Sequence, residues 1–136
     1  MVALAGGACE RSSAEVDQAI LDSQEVVVTD SVAISMRRMR DTLTIDLVNL
    51  GSARVISYAA HCPVAIVATR GGRIVWDQRQ MTRFCFDVEA APFVEAGATW
   101  TVRDPLPPEV IELEQDVVLH AAISILRSDE VWVRVR

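Results

Sequence analysis

Five side chains able to bind a metal ion, or to act as a nucleophile or a base, are scattered along the chain: Cys9, His61, Cys62, Cys85 and His120. Structural zinc sites need clustered ligands such as Cys-x2-Cys, and neighbouring strand residues such as His61 and Cys62 point to opposite faces of a sheet. A cysteine nucleophile needs a base beside it. The histidine that would serve, His120, lies in the apolar run VVLHAAISIL, which is typical of a core strand or a strand edge. We therefore predict no metal site, no cofactor and no catalytic site.

A disulfide between Cys62 and Cys85 is the chemistry that these positions favour, because the two cysteines flank one hairpin unit. Closing this 24-residue loop would stabilise the fold by about 3.4 kcal/mol on the chain-entropy model. The bond would place the protein in the periplasm or outside the cell. The alternative is a pair of buried free thiols, which is common in the cytoplasm.

The segment between these cysteines, residues 62–85, is basic within an acidic chain. Its sequence is CPVAIVATRGGRIVWDQRQMTRFC, with four arginines against the single acid Asp77, whereas the whole chain has a net charge of −6. The paired glycines predict a tight turn, because they accept the positive φ that short hairpins require. We expect the hairpin to present its arginines to an acidic protein partner. Alternatively, they protect an exposed sheet edge from pairing with another chain. The candidate binding residues are Arg70, Arg73, Arg79 and Arg83.

Length and charge set limits on the class of protein. A chain of 136 residues fits one domain, its acidic charge argues against nucleic acid as the partner, and no apolar run reaches the length of a membrane span. Residues 1–25 predict a flexible N-terminal segment, with a short helix over 14–21 as the alternative. The start MVALAGGACE indicates either the remnant of an export or lipoprotein signal or an ordinary terminus, so membrane attachment is expected only through a lipid on Cys9.

From residue 26 to 136 the chain predicts one all-β domain, an antiparallel β-sandwich that is immunoglobulin-like in architecture. Val, Ile and Thr alternate with polar residues, and Gly, Asn, Asp and Pro separate the runs. The nine predicted strands are 26–38, 42–49, 53–61, 63–69, 73–77, 83–88, 98–103, 117–126 and 130–136. The predicted core includes Ile45, Leu47, Ile66, Trp76, Trp100, Val118 and Ile123.

Four segments resemble the BsuPI-like intracellular proteinase inhibitors and their bacterial relatives: DLVNLGS, CPVAIVATRGGRIVWD, FVEAGATWTV and VVLHAAISIL, over about residues 26 to 126. The resemblance is carried by Asn49, Gly51, Gly72, Val75, Trp76, Gly97 and Trp100. It implies an antiparallel β-sandwich and a non-enzymatic domain that binds a serine proteinase. Trypsin-like proteinases accept arginine in a carboxylate-lined pocket, so Arg70, Arg73 or Arg79 is the expected contact. The alternative is an extracytoplasmic structural or protein-interaction domain, lipid-anchored at Cys9 or free, with no inhibitory role.

Overall fold

The computed structural model describes residues 12–56, 65–80, 93–113, 116–124 and 130–136. The helices are α1 (Ser13–Leu21), a 3₁₀ helix (Gln78–Gln80) and α2 (Pro108–Ile111). The strands are β1 (Val26–Thr29), β2 (Val32–Met39), β3 (Thr42–Asn49), β4 (Val55–Ile56), β5 (Ala65–Arg70), β6 (Arg73–Asp77), β7 (Phe93–Val94), β8 (Thr99–Pro105), β9 (Val118–Ser124) and β10 (Glu130–Arg134). The predicted strand 83–88 lies outside the described residues.

Two four-stranded antiparallel sheets form a β-sandwich, which confirms the predicted all-β class and the antiparallel sandwich. The first sheet has the order β1-β2-β3-β8 and the second has the order β10-β9-β5-β6, while β4 and β7 form a separate two-stranded ribbon. The predicted strand 26–38 is divided by a turn at Asp30 and Ser31, whose φ angles are +49° and +65°. Thr29 and Val32 pair across this turn, so β1 and β2 form a hairpin.

The core lies between the two sheets, and β3 shows why. Leu43, Ile45 and Leu47 alternate along the strand and each is 1% exposed, because one face of β3 packs against the second sheet. Each such side chain contributes roughly 1.5–3 kcal/mol by leaving water. Ile66 and Ile123 are also buried, and Trp76 and Trp100 pack against this core while half-buried.

Asn49 ends β3 and is fully buried, with its hydrogen bonds satisfied. Its Nδ2 donates to the carbonyl oxygens of Ala53 at 2.7 Å and Val94 at 3.0 Å, and its Oδ1 accepts from the Gly51 amide at 2.9 Å. The side chain therefore holds the β4–β7 ribbon against the first sheet. After Asn49 the chain leaves the first sheet, and β4 pairs with β7.

Helix α1 covers the outer face of the second sheet, where the sequence predicted a flexible segment. Ser12 caps the helix, because its Oγ accepts from the Glu15 amide at 3.2 Å. Ile20 is fully buried against the sheet. The residues of this second cluster are Ile20, Ala65, Val67, Ala122 and Trp132. The structure therefore confirms the alternative of a short helix over 14–21. The apolar surface that orders this helix belongs to strands far along the chain.

One apolar position, Val118, differs from the predicted core, and Trp132 belongs to a second apolar cluster. Val118 was expected inside, yet it is 40% exposed, because it begins β9 and lies at the end of the second sheet. Trp132 is buried, but it packs under α1 and not between the two sheets. A near-continuous apolar run identifies a strand that has both faces covered, but it does not say which layer covers each face.

Candidate functional site

The basic hairpin predicted from the sequence is formed by β5 and β6, and β6 lies at the end of the strand order of its sheet. Arg70 pairs with Arg73 across a two-residue turn, in which Gly71 and Gly72 have φ angles of +58° and +79°. These angles are those of the mirror-image turns that match the twist of paired strands. The predicted turn is therefore confirmed.

A β-bulge lies just behind the turn. Ala68 pairs with Trp76 and Thr69 pairs with Ile74, so Val75 is an extra residue on β6 and is 44% exposed. Bulges increase local twist and interrupt the regular ladder of an edge strand. The hairpin thus has a fixed tip and an irregular outer strand.

Arg79 is directed into the protein, unlike the exposed arginine that the sequence suggested. Its Nε donates to Asp77 Oδ1 at 2.9 Å, and its Nη2 donates to Asp77 Oδ2 at 2.6 Å and Asp17 Oδ1 at 2.9 Å. Its guanidinium also lies 5.9 Å from the centre of the Trp132 ring. Hydrogen bonding from Arg79 holds the pKa of Asp77 below its usual value, and the bond to Asp77 raises the pKa of Arg79. Arg79 therefore fastens α1 to the hairpin.

The other hairpin arginines differ in their surroundings. Arg70 Nε donates to Asp116 Oδ1 at 3.0 Å, and both side chains are substantially exposed. Arg73 is exposed at the tip. Arg83 lies outside the described residues, as do Cys9, Cys62 and Cys85, so the disulfide and the lipid site stay predictions. Arg70 and Arg79 together contact three carboxylates, those of Asp17, Asp77 and Asp116. Most of the positive charge expected at the hairpin is therefore neutralised locally.

His120 is a buried structural residue, 2% exposed, that connects three elements. Ser23 Oγ donates to the Ile20 carbonyl at 2.8 Å, so it accepts from Nδ1–H of His120, 2.8 Å away. Nε2 then accepts from the hydroxyl of Thr69, also at 2.8 Å. Burial, together with the positive charge of Arg134, lowers the pKa of His120 to about 4. The imidazole is neutral, and both of its nitrogens are occupied by structural bonds.

The described residues include neither a group of side chains suited to a metal ion nor a helix suited to span a membrane. Within 12–56, 65–80, 93–113, 116–124 and 130–136, no group of three or more His, Cys, Asp or Glu residues is arranged to hold a metal ion. Among the same residues, no helix has the length and apolar character needed to cross a membrane.

A second group of arginines, which sequence reasoning did not single out as a site, lines a cleft at one end of the sandwich. Arg38 comes from β2, Arg134 ends β10, and Arg136 follows β10. The sequence signal was weak, because Arg38 stands in a run of basic residues that is typical of a solvated strand end. Only the approach of β10 to β2 brings these arginines together.

Comparison with known proteins does not assign this chain to a family. No protein-family model matches the chain, and a search of curated proteins finds no match. The argument about function therefore depends on the residues and their arrangement.

Proposed function

We propose that this chain is a non-enzymatic protein-binding domain, similar to the BsuPI-like proteinase inhibitors, and that it contacts its partner through the tip of the β5–β6 hairpin. The partner class is a serine proteinase. The observation that carries this proposal is the fixed tip, in which a two-residue turn with positive φ angles joins paired strands and leaves Arg73 exposed. A preordered loop loses less conformational entropy on binding than a flexible one.

The arginines have different roles in this proposal. Arg73 is the side chain that would enter a carboxylate-lined pocket of a trypsin-like proteinase. Arg70 is a secondary contact, because its bond to Asp116 joins exposed groups, and such pairs contribute only about 0–1 kcal/mol. A partner carboxylate can therefore compete for Arg70. Arg79 is assigned to the fold, and Arg83 keeps the binding role expected from its sequence position.

The test is inhibition of a panel of serine proteinases by the purified domain and by two matched variants. Arg73→Gln removes the tip charge, whereas Arg103→Gln removes an exposed arginine on β8. We expect inhibition of at least one trypsin-like member, weakened roughly tenfold or more by Arg73→Gln through loss of a charge-assisted contact, and unchanged by Arg103→Gln. Inhibition of no proteinase, or equal effects of the two variants, would contradict the inhibitor proposal.

A protein-interaction domain without inhibitory activity is the second candidate. It is favoured by the local carboxylates around Arg70 and Arg79, which weaken the positive field that a strongly acidic partner would sense. Capture of proteins from a native extract separates the two candidate functions. If the domain inhibits no proteinase but captures a protein, and Arg73→Gln abolishes this capture, the result supports the protein-interaction domain. Either role is compatible with export, for which a Cys62–Cys85 bond and lipid on Cys9 remain the expected chemical marks.

A further inference from the structure

The cleft lined by Arg38, Arg134 and Arg136 has a volume of about 480 Å³. This value falls within the range of about 300–1,000 Å³ that is typical of small-molecule sites. The cleft lies where the chain passes from the second sheet to the first, so both sheets contribute to its walls. It is separate from the hairpin tip, and the inference drawn from it does not depend on proteinase binding.

Backbone hydrogen bonds fix the shape of this cleft. The amide of Val135 donates to the Leu119 carbonyl at 2.8 Å, which extends the pairing of β10 with β9. One residue further, the Arg136 amide donates to the Met36 carbonyl at 3.0 Å and its own carbonyl accepts from the Arg38 amide at 2.9 Å. The chain therefore pairs with the first sheet at Arg136. Because these bonds use only main-chain atoms, the arginine side chains are held near each other without being needed for the pairing.

The charge in the cleft is not balanced. Glu25 is the acidic residue of the lining, and its carboxylate lies 4.0 Å from Arg134. The Nε of Arg38 donates to the carbonyl oxygen of Arg40 at 3.0 Å. Within the described part of the chain, neither Arg38 nor Arg136 forms a salt bridge with an acidic side chain, so the lining holds three arginine side chains against one acidic side chain. Guanidinium groups form paired hydrogen bonds with carboxylates and phosphates, so the cleft suits an anion.

An apolar surface adjoins these charges. Val117, Val118 and Val135 line the same cleft, and Val118 is 40% exposed although it was expected in the core. Valine side chains offer no hydrogen bond to an inorganic anion, but they gain from covering an aliphatic group. The combination therefore favours an anion that carries a hydrocarbon part over inorganic phosphate.

We propose that this cleft binds a small amphipathic carboxylate. The carboxylate pairs with the guanidinium groups of Arg38 and Arg136, and the aliphatic part lies against Val118 and its neighbours. Arg134 is partly compensated by Glu25, so it contributes mainly to the field of the cleft. Pairing of β10 with the second sheet and of Arg136 with the first preorganises the backbone of the site, so little main-chain ordering is required when the ligand binds.

The test uses octanoate as the probe, with calorimetry for affinity and amide chemical shifts for location. Octanol lacks the charge, acetate lacks the chain, and inorganic phosphate supplies an anion without apolar surface. We expect octanoate to bind at least about tenfold more tightly than any of the three. We also expect its shift changes to centre on residues 117–119 and 134–136. Equal binding of octanol and octanoate, or shift changes centred elsewhere, would overturn the proposal.

Matched variants test the residues themselves. Arg136→Gln and Arg38→Gln each remove one guanidinium while leaving the main-chain pairing, and Arg103→Gln removes an exposed arginine that does not line the cleft. We expect the first two to weaken octanoate binding about tenfold and the third to leave it unchanged. Val118→Thr keeps the β-branched shape and should also weaken binding, because it replaces one apolar methyl group with a hydroxyl. Equal affinities of all four variants would overturn the assignment, provided that each retains the thermal transition of the unmodified domain.

Discussion

Protonation of His120 is expected to make the stability of the fold depend on pH. The imidazole is neutral and buried, and its folded-state pKa of about 4 is below its ordinary value of 6.5. The unfolded chain therefore binds a proton at a higher pH than the folded one. Stability from this group is fully present above pH 6.5, falls as the pH decreases below 6.5, and is lost once the pH reaches about 4.

The magnitude follows from the size of the pKa shift. One pKa unit corresponds to about 1.4 kcal/mol, so the shift from 6.5 to about 4 is equivalent to roughly 3 kcal/mol of folding free energy. At pH 4.5 most of this is already lost, and the expected decrease from pH 7.5 is about 2.5 kcal/mol. That is a large fraction of the 5–15 kcal/mol that typically stabilises a domain.

The assay is urea unfolding of the unmodified protein and of His120→Gln at pH 7.5 and pH 4.5. Glutamine keeps a donor and an acceptor for the hydroxyl groups of Ser23 and Thr69, but it does not titrate. Asp104, whose pKa is raised by burial, and Asp77 are present in both proteins, so their contributions cancel in the comparison. The unmodified protein should lose about 2.5 kcal/mol more than the variant. Equal losses would refute the role assigned to His120.

Two further predictions concern stability. Arg79→Ala should reduce the free energy of unfolding by about 1–3 kcal/mol, because it breaks charge-assisted bonds to Asp77 and Asp17 at a half-buried site. The exposed control Arg103→Ala should change this free energy by less than about 0.5 kcal/mol in the same urea titration. Gly72→Ala should lower the free energy of unfolding by about 1–2 kcal/mol, because the φ angle of +79° is unfavourable for alanine. No atom lies within 4 Å of the added Cβ, so this loss comes from backbone conformation and not from a clash. Gly72→Asn should cost less in thermal unfolding, because asparagine tolerates this conformation better, and an equal cost would contradict the argument.

The parts of the fold that the sequence predicts well are those decided by neighbouring residues. β3 follows from alternation over Leu43, Ile45 and Leu47, and the β5–β6 turn follows from the paired glycines at 71 and 72. Helix α1 carried a local signal as well, because Ser12 followed by Glu15 matches the capping box that begins many helices. Its burial was not predictable, since that depends on the outer face of strands far along the chain.

The candidate sites were harder to predict because their charges come from distant positions. Asp17 lies 62 residues before Arg79, and Asp116 lies 46 residues after Arg70, so the local excess of arginine in the hairpin did not reveal its partners. Val118 was misplaced for a related reason. Its apolar neighbours predict a buried strand, but its position at the end of the sheet leaves it at the wall of a cleft.

The two surfaces are adjacent, and matched variants distinguish them. Thr69, beside the hairpin tip, pairs with Val118 at the cleft, so a protein bound at Arg73 would extend toward the cleft. Arg70 and Arg79 of the hairpin have carboxylates close by, whereas Arg73, Arg38 and Arg136 form no salt bridge with an acidic side chain within the described part of the chain. Salt screens exposed charges over about 8 Å at physiological ionic strength, and it affects most strongly those that are not already compensated. Because Arg73 at the tip and the arginines of the cleft are all exposed to this screening, salt should weaken association at either surface. Loss of binding with Arg73→Gln would indicate the hairpin tip, whereas loss with Arg38→Gln or Arg136→Gln would indicate the arginine cleft.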